Sequence, residues 1–363
     1  MNLEATDDQN QLRDTVRRFL AERATIADYV RPMLDDPLGT TTPVWAGLAD
    51  IGAMGLLVPV EHDGAGMTMA EAGVVSEELG AALDPGPWLS SAVAAARALV
   101  RFEAPDAGDL YAGLANGSTI ATVVPLSPGA ARGSVERRGG EVVVNGIFTD
   151  VPDAAAADTL LVLAEDAGGV ALLAAPSSAA RVTPQPGIDH TRKLFGVVLD
   201  GIPAQVLATA GDSAVEALVD DVLIASAADA VGAARRLLDM TVEYAKVRKQ
   251  FGAPIGSFQA VAHLCVDMYE TVELAASGVL HALWAADHAD DRERHLAALR
   301  VKAFSGRLAT VGDQAIQVFG GIGFTWEHDA QLYLKRLLSF SRFLGSSGSY
   351  QERIGRALAG VTS

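Results

Sequence analysis

Cysteine is almost absent. The chain has one, Cys265, in an apolar helix-like run. A single thiol excludes a disulfide framework and fits a reducing cytoplasm. A small buried hydrophobe is the plain reading of Cys265, a catalytic thiol the alternative. Positive charge is also scarce: 28 Lys and Arg stand against 45 Asp and Glu, a formal net charge of −17. That balance argues against nucleic acid or an anionic membrane as the main partner. No uncharged apolar run reaches the roughly 20 residues of a membrane span. The acidic start, Met1-Asn2-Leu3-Glu4-Ala5-Thr6-Asp7-Asp8, lacks the apolar core of a signal peptide. His62, His190, His263, His281, His288, His295 and His328 have no metal-ligand spacing with cysteine, so no metal site is expected. What is present is globular in kind. Half of the 363 residues are hydrophobic and a fifth charged, enough for two or three cores packed as one unit.

The pattern along the chain divides it in three. Residues 1–115 read as helical. Thr6 with Gln9 has the form of a capping box, and Leu12, Val16, Phe19, Leu20 and Ala24 share one helix face. Helices are predicted around Trp45–Ile51, over about 70–83 up to Asp84-Pro85-Gly86-Pro87, and from Ser90. From Ser118 the period shortens. Thr119–Val124, Ser134–Arg137, Glu141–Val144, Leu160–Ala164 and Gly169–Leu173 read as strands of a β meander. Turns are expected at Gly139-Gly140, Asn145-Gly146 and Asp166-Ala167-Gly168, and Asp200-Gly201-Ile202-Pro203 should close the strand Val197–Leu199. After Asp212 proline nearly vanishes, and long helices are predicted over about 213–249, 257–289, 292–318 and 326–359, enough for a four-helix bundle.

Two segments carry chemistry. Arg248-Lys249-Gln250-Phe251-Gly252-Ala253-Pro254-Ile255 ends a helix and leads into Ser257-Phe258-Gln259. Its simple reading is a helix end, with cations on the dipole and Gly then Pro as stops. Its functional reading is a pyrophosphate site: a permanent guanidinium, amide donors and an aromatic wall. The second segment is Gln317-Val318-Phe319-Gly320-Gly321-Ile322-Gly323-Phe324-Thr325. Glycine supplies any tight turn, or a backbone that an extended cofactor can approach closely.

Both segments resemble the flavin-clamping parts of the acyl-CoA dehydrogenase family. The continuation from Phe324 to Arg336 is similar to members acting on bulky, sterol-derived CoA thioesters. Val58-Pro59, Gly64-Ala65-Gly66 and Glu77-Glu78-Leu79-Gly80 extend the likeness to the N-terminal part. The resemblance implies an α+β fold: an N-terminal helical domain (1–115), a middle β-barrel or sandwich domain (116–208) and a C-terminal helical bundle (209–363). It implies FAD as cofactor, with Arg248, Gln250, Phe251, Gln259, Gln317, Val318, Gly320 and Gly321 at its adenine and pyrophosphate end, reached across a subunit interface. Arg336 reads as a helix-surface arginine, with interface or cofactor contact as alternatives. Trp45, Trp88, Trp284 and Trp326 read as packing residues.

The family's reaction removes an α proton and a β hydride from an acyl-CoA, and needs a base. The position that holds the base glutamate in many members is Leu344, 25 residues after Phe319. The other recognised position, 26 residues before Arg248, is Val222. Both are aliphatic. Asp220 and Asp221 flank Val222, but one residue turns a helix side chain by about 100°, and solvated acids near a helix start are the plain reading. The regions that correspond to the family's flavin-ring stretches read Val124-Pro125-Leu126-Ser127-Pro128-Gly129 and Asp150-Val151-Pro152-Asp153, and neither keeps the family's pattern. The resemblance therefore implies a base-lacking subunit of an α2β2 acyl-CoA dehydrogenase, completed by a related chain. Substrate would be a steroid side-chain or other bulky acyl-CoA, and electrons would pass to an electron-transfer flavoprotein. Two alternatives stand beside it. One is a self-sufficient homo-oligomer using Asp221 or Asp220 as base. The other is a non-catalytic scaffold.

Overall fold

The computed structural model describes residues 4–104, 107–138 and 140–360. Met1-Asn2-Leu3 and the turn residue Gly139 lie outside the described residues. At the N-terminus the predicted capping box forms: Gln9 N–H donates to Thr6 Oγ1 (3.2 Å) and Thr6 N–H to Gln9 Oε1 (3.1 Å). Helix α1 (Asp7–Arg23) then buries Val16 and Leu20. Pro43 sits in the first turn of α2 (Thr42–Asp50), where a missing N–H costs nothing. A second capping box, Thr68 with Glu71, opens α3 (Met69–Ala81). Wide π turns over Leu89–Ala95 continue into α4 (Ala96–Arg101), and α5 (Gly108–Ala115) ends the helical part.

Eight strands follow: β1 (Ala121–Val124), β2 (Gly133–Arg138), β3 (Glu141–Pro152), β4 (Thr159–Asp166), β5 (Gly169–Pro176), β6 (Arg181–Gln185), β7 (Leu194–Pro203) and β8 (Gln205–Ala210). The order is β6-β7-β3-β2-β4-β5-β8, with β1 branching from β4. This corrects the meander. β1 and β2 both pair with β4 in parallel, and β3 pairs with β7 rather than with β4. Two expected turns are strand interior. Asn145-Gly146 stays within β3 as a shift in register against β7, and Asp200-Gly201-Ile202-Pro203 continues β7. Asn145 accounts for this locally, because its Oδ1 accepts the Gly201 N–H (2.7 Å) and binds the neighbouring strand instead of turning.

β4 explains how the sheet joins the rest. Leu161 and Leu163 point into the core shared with the helices, while Leu160, Val162 and Ala164 fill a separate core beneath the sheet. Alternate residues of a strand face opposite sides, so a strand buried on both faces reads as one apolar run.

The last third is helical: α6 (Asp212–Val247), α7 (Gln259–His288), α8 (Asp291–Ala303), α9 (Ser305–Phe319), α10 (Ala330–Arg342) and α11 (Ser347–Leu358). The predicted third helix is two, joined at Phe304. The predicted fourth is broken at Phe343–Ser346. Leu344 (φ +54°) and Gly345 (φ +120°) are left-handed there, and Ser346 caps α11 by accepting the Ser349 N–H.

Candidate functional site

Val222, on α6, and Leu344, in the break after α10, line one cavity of about 580 Å³. Its walls come from the π turns before α4, the β3 end, the loop before β7, α6 and α10. Leu89, Leu126, Leu194, Phe340 and Phe343 supply apolar surface. The left-handed turn at Leu344 brings that side chain to the wall. Its carbonyl accepts from Tyr350 Oη (2.8 Å), and Lys302 Nζ donates to the Phe340 carbonyl. Two buried side chains thus satisfy carbonyls at the end of α10.

Neither Asp220 nor Asp221 is on this wall. The reading of both as solvated acids is corrected: they are 1 % and 0 % exposed. Asp221 accepts from Arg97 Nε (2.7 Å) and from Arg101 Nε (2.8 Å) and Nη2 (2.9 Å), both on α4. Asp220 meets His295 Nδ1 (2.9 Å) and Arg294, and burial pushes its carboxyl upward. Val222 turns the other way, as the 100° step requires.

The carboxylates on the wall are Asp150, Asp153 and Asp229. Asp229 is fully engaged: Arg336 donates through Nε (3.0 Å) and Nη2 (3.2 Å), and Arg192 through Nη2 (2.7 Å). Arg336 also donates to Thr191 Oγ1 (2.7 Å) and to the Asp84 carbonyl (2.8 Å). At 2 % exposure it is no surface arginine; its charge is held because acceptors surround it. Asp84 nearby is pushed up to about 6 by burial, opposed by Arg336 and Arg192. Asp153 is also pushed up to about 6, by burial first, and accepts from Ser90 Oγ. One signal for Asp229 stood in the sequence. It is a lone acid in the small-residue run Ala225–Gly232, where only a paired charge is tolerated.

The residues of the expected clamp lie elsewhere. None of Arg248, Gln250, Phe251, Gln259, Gln317, Val318, Gly320 and Gly321 lines the cavity. Lys249–Gln250 and Ala253–Pro254 form a two-residue hairpin. Its tip, Phe251 (φ +52°) and Gly252 (φ +84°), has the positive dihedrals of a primed turn. Phe251 is therefore held out at 95 % exposure, touched edge-on by Phe258 at 6.0 Å. Tyr244, one turn before Arg248, meets Phe319 with ring centroids 4.9 Å apart, so the two clamp segments share one end of the bundle. Arg248 is exposed and makes no ion pair among the described residues. Around Gly320 and Gly321 nothing lies within 4 Å of where a Cβ would stand. An unpaired guanidinium, an uncovered ring and bare backbone fit an anionic nucleotide. Val318 differs, being buried in the core. Two plain readings change as well: Cys265 is half-buried, its thiol raised by burial, and Trp326 is exposed under Lys335 Nζ (4.4 Å).

A family model described as acyl-CoA dehydrogenase, N-terminal domain, matches residues 6–104, and one described as acyl-CoA dehydrogenase, C-terminal domain, matches residues 219–359. The chain is 36% identical over 343 residues to acyl-CoA dehydrogenase IpdE2 of Mycolicibacterium smegmatis, covering 94% of this chain and 95% of that one. The solved ChsE4-ChsE5 complex from Mycobacterium tuberculosis superposes with TM-score 0.90 at 26% identity, covering 100% of both chains. A Tcur3481-Tcur3483 steroid ACAD variant gives 0.88 at 26%, covering 98% of each.

Proposed function

Since the chain belongs to the acyl-CoA dehydrogenase family, we propose that it is the base-lacking subunit of a heteromeric, FAD-dependent enzyme that dehydrogenates a bulky, steroid-type acyl-CoA at Cα–Cβ. One observation carries this reading. Both recognised base positions, Val222 and Leu344, are aliphatic and face the same cavity, whereas the clamp residues lie away from it and, Val318 apart, are exposed. Likeness to the ChsE4-ChsE5 complex and to a steroid enzyme supports a second, related chain and a steroid-type substrate.

FAD, when bound, supplies the hydride acceptor. This chain's part is to hold the cofactor's far end. Arg248 and the amides at Gly320 and Gly321 meet the pyrophosphate, Gln250, Gln259 and Gln317 offer polar contacts, and Phe251 covers an adenine face. The related chain contributes the carboxylate that takes the α proton, because both base positions here are aliphatic. The self-sufficient alternative loses support: Asp221 is locked to Arg97 and Arg101, and Asp220 to His295.

Co-purification with a related chain tests the reading. About one flavin per two chains is expected. One flavin per chain, with full activity in the lone protein, overturns it, and so does a complex that binds neither FAD nor acyl-CoA. Within the complex, Arg248→Ala should weaken flavin retention at least tenfold, the scale of one charge-assisted contact. Unchanged retention removes Arg248 from the clamp.

A further inference from the structure

The loop before β7, residues 186–193, forms one wall of the cavity through Gly187, Ile188, Arg192 and Lys193. Its tip, Pro186-Gly187-Ile188, is exposed. Its anchors are polar. Asp189, Thr191 and Lys193 are buried, and Arg192 is half-buried. Arg192 Nη2 donates to Asp229 Oδ2, Thr191 Oγ1 accepts from Arg336 Nη1, and Lys193 Nζ donates to the Met33 and Leu34 carbonyls, each at 2.7 Å. The loop's one large apolar residue, Ile188, is 55 % exposed. A segment with so little buried apolar surface belongs to the parts of a fold that open first. The junction that holds it is also unbalanced. Asp84, Asp153, Asp189 and Asp229 bring four carboxylates, whereas Arg192, Lys193 and Arg336 bring three cations. Asp84 Oδ1 and Asp189 Oδ2 are buried without a hydrogen-bond partner among the described residues, the second 3.9 Å from Arg336 Nη1. Arg336 on α10, Arg192 on the loop and Asp229 on α6 all act on Asp84, which in turn acts on Tyr29 before α2 and on Asp153 at the end of β3. Asp35 and Asp36 face Lys193 from outside the junction. An excess buried charge is costly, and taking up a proton removes it.

We propose that residues 186–193 are a lid on the cavity, latched by the Asp84 junction and released when that junction loses its last proton. A proton on Asp84 or Asp153 brings the junction to zero formal charge. Burial pushes both carboxyls up to about 6, and each raises the other or is raised by it, so the pair titrates together. Opening the lid admits water to Asp84. Relief of burial outweighs the loss of Arg192, because burial is the larger of the opposed effects on Asp84. The closed lid therefore binds more protons than the open one, and acid favours closure. The lid is independent of the proposed function, since it needs neither a flavin nor a related chain.

The test is hydrogen exchange of the full chain, read by mass spectrometry in peptides covering 186–193. After correction for the intrinsic rate, exchange should rise about tenfold from about pH 5 to about pH 7.5, the change expected when one carboxyl sits at about 6 with the lid closed and about 3.9 with it open. Asp84→Asn cannot gain the extra charge, and its rate should stay within about twofold across that range. His190 is the control. It lies on the lid 3.8 Å from Asp35, and histidine also changes charge in this range. His190→Gln should keep the tenfold rise; if the rise is lost there, the switch is His190 and the proposal falls. A rate that is constant or falls with pH in wild type overturns it, and so does a full rise in Asp84→Asn. Should Asp84→Asn fail to fold, the wild-type and His190→Gln profiles decide, and anything but the same rise in both overturns the proposal. The flavin count is a separate readout, so failure of the lid leaves the proposed function standing.

Discussion

Lys302 carries a charge where none is comfortable. It is 0 % exposed and has no carboxylate partner among the described residues. Its Nζ lies 4.7 Å from the Phe340 ring centroid and 6.0 Å from that of Tyr350. Burial lowers its pKa to about 7, with Arg342 adding to the effect. The unfolded chain therefore binds more protons than the folded one between pH 7 and the ordinary lysine value of about 10.4. Stability should rise with pH across that window, by up to about 1.4 kcal/mol per pH unit for one proton. In Lys302→Met that increment should vanish. Urea unfolding of both proteins from pH 6.5 to 10 measures it as a difference, and parallel curves refute it. Arg336 shows the opposite economy. It is as buried as Lys302 but surrounded by acceptors, so its residue type alone could not announce its place.

Helix crossings turn on single glycines. At Gly80 in α3 a Cβ would lie 1.9 Å from the Asp229 carbonyl oxygen, and at Gly232 in α6 it would lie 1.8 Å from that of Glu77. The two helices touch backbone to backbone, and this contact sets the height of Asp229 at the cavity. Alanine is the better helix former by about 1 kcal/mol, but the clash is with backbone that cannot swing aside. Gly80→Ala should therefore destabilise, by about 1–3 kcal/mol, read as a lower urea midpoint; a higher midpoint refutes the crossing argument. Local signals were legible at this scale. Thr6 with Gln9 formed its box because a cap needs only neighbours three residues away. Leu344-Gly345-Ser346 also held the signs of a helix break, a C-terminal glycine and an N-cap serine. The apolar period on either side concealed them. Asn145-Gly146 misled, because whether it turns or bulges depends on β7, which lies more than 50 residues later.

Across the whole molecule two surfaces divide the chemistry. The cavity side is sealed by ion pairs that join α6, α10 and the loop before β7. On the clamp side Phe251, Ile322, Phe324 and Trp326 are exposed. Apolar groups left open together mark a contact surface. Under the proposed function a related chain covers Phe251. Phe251→Asp should then weaken complex formation by at least tenfold without lowering the urea midpoint of the lone chain. Analytical ultracentrifugation and urea titration check this, and unchanged assembly refutes it.

Residue order alone determined the helix–sheet–helix succession and the two segments that the proposed function reads as a clamp, because these rest on short-range periodicity and on motifs contiguous in the chain. Tertiary structure alone decided that Val222 and Leu344 share a cavity and that Asp220 and Asp221 are bound away from it. Those outcomes depend on which way a helix or strand is turned and on what packs against it, and that is settled only when distant segments bury one another.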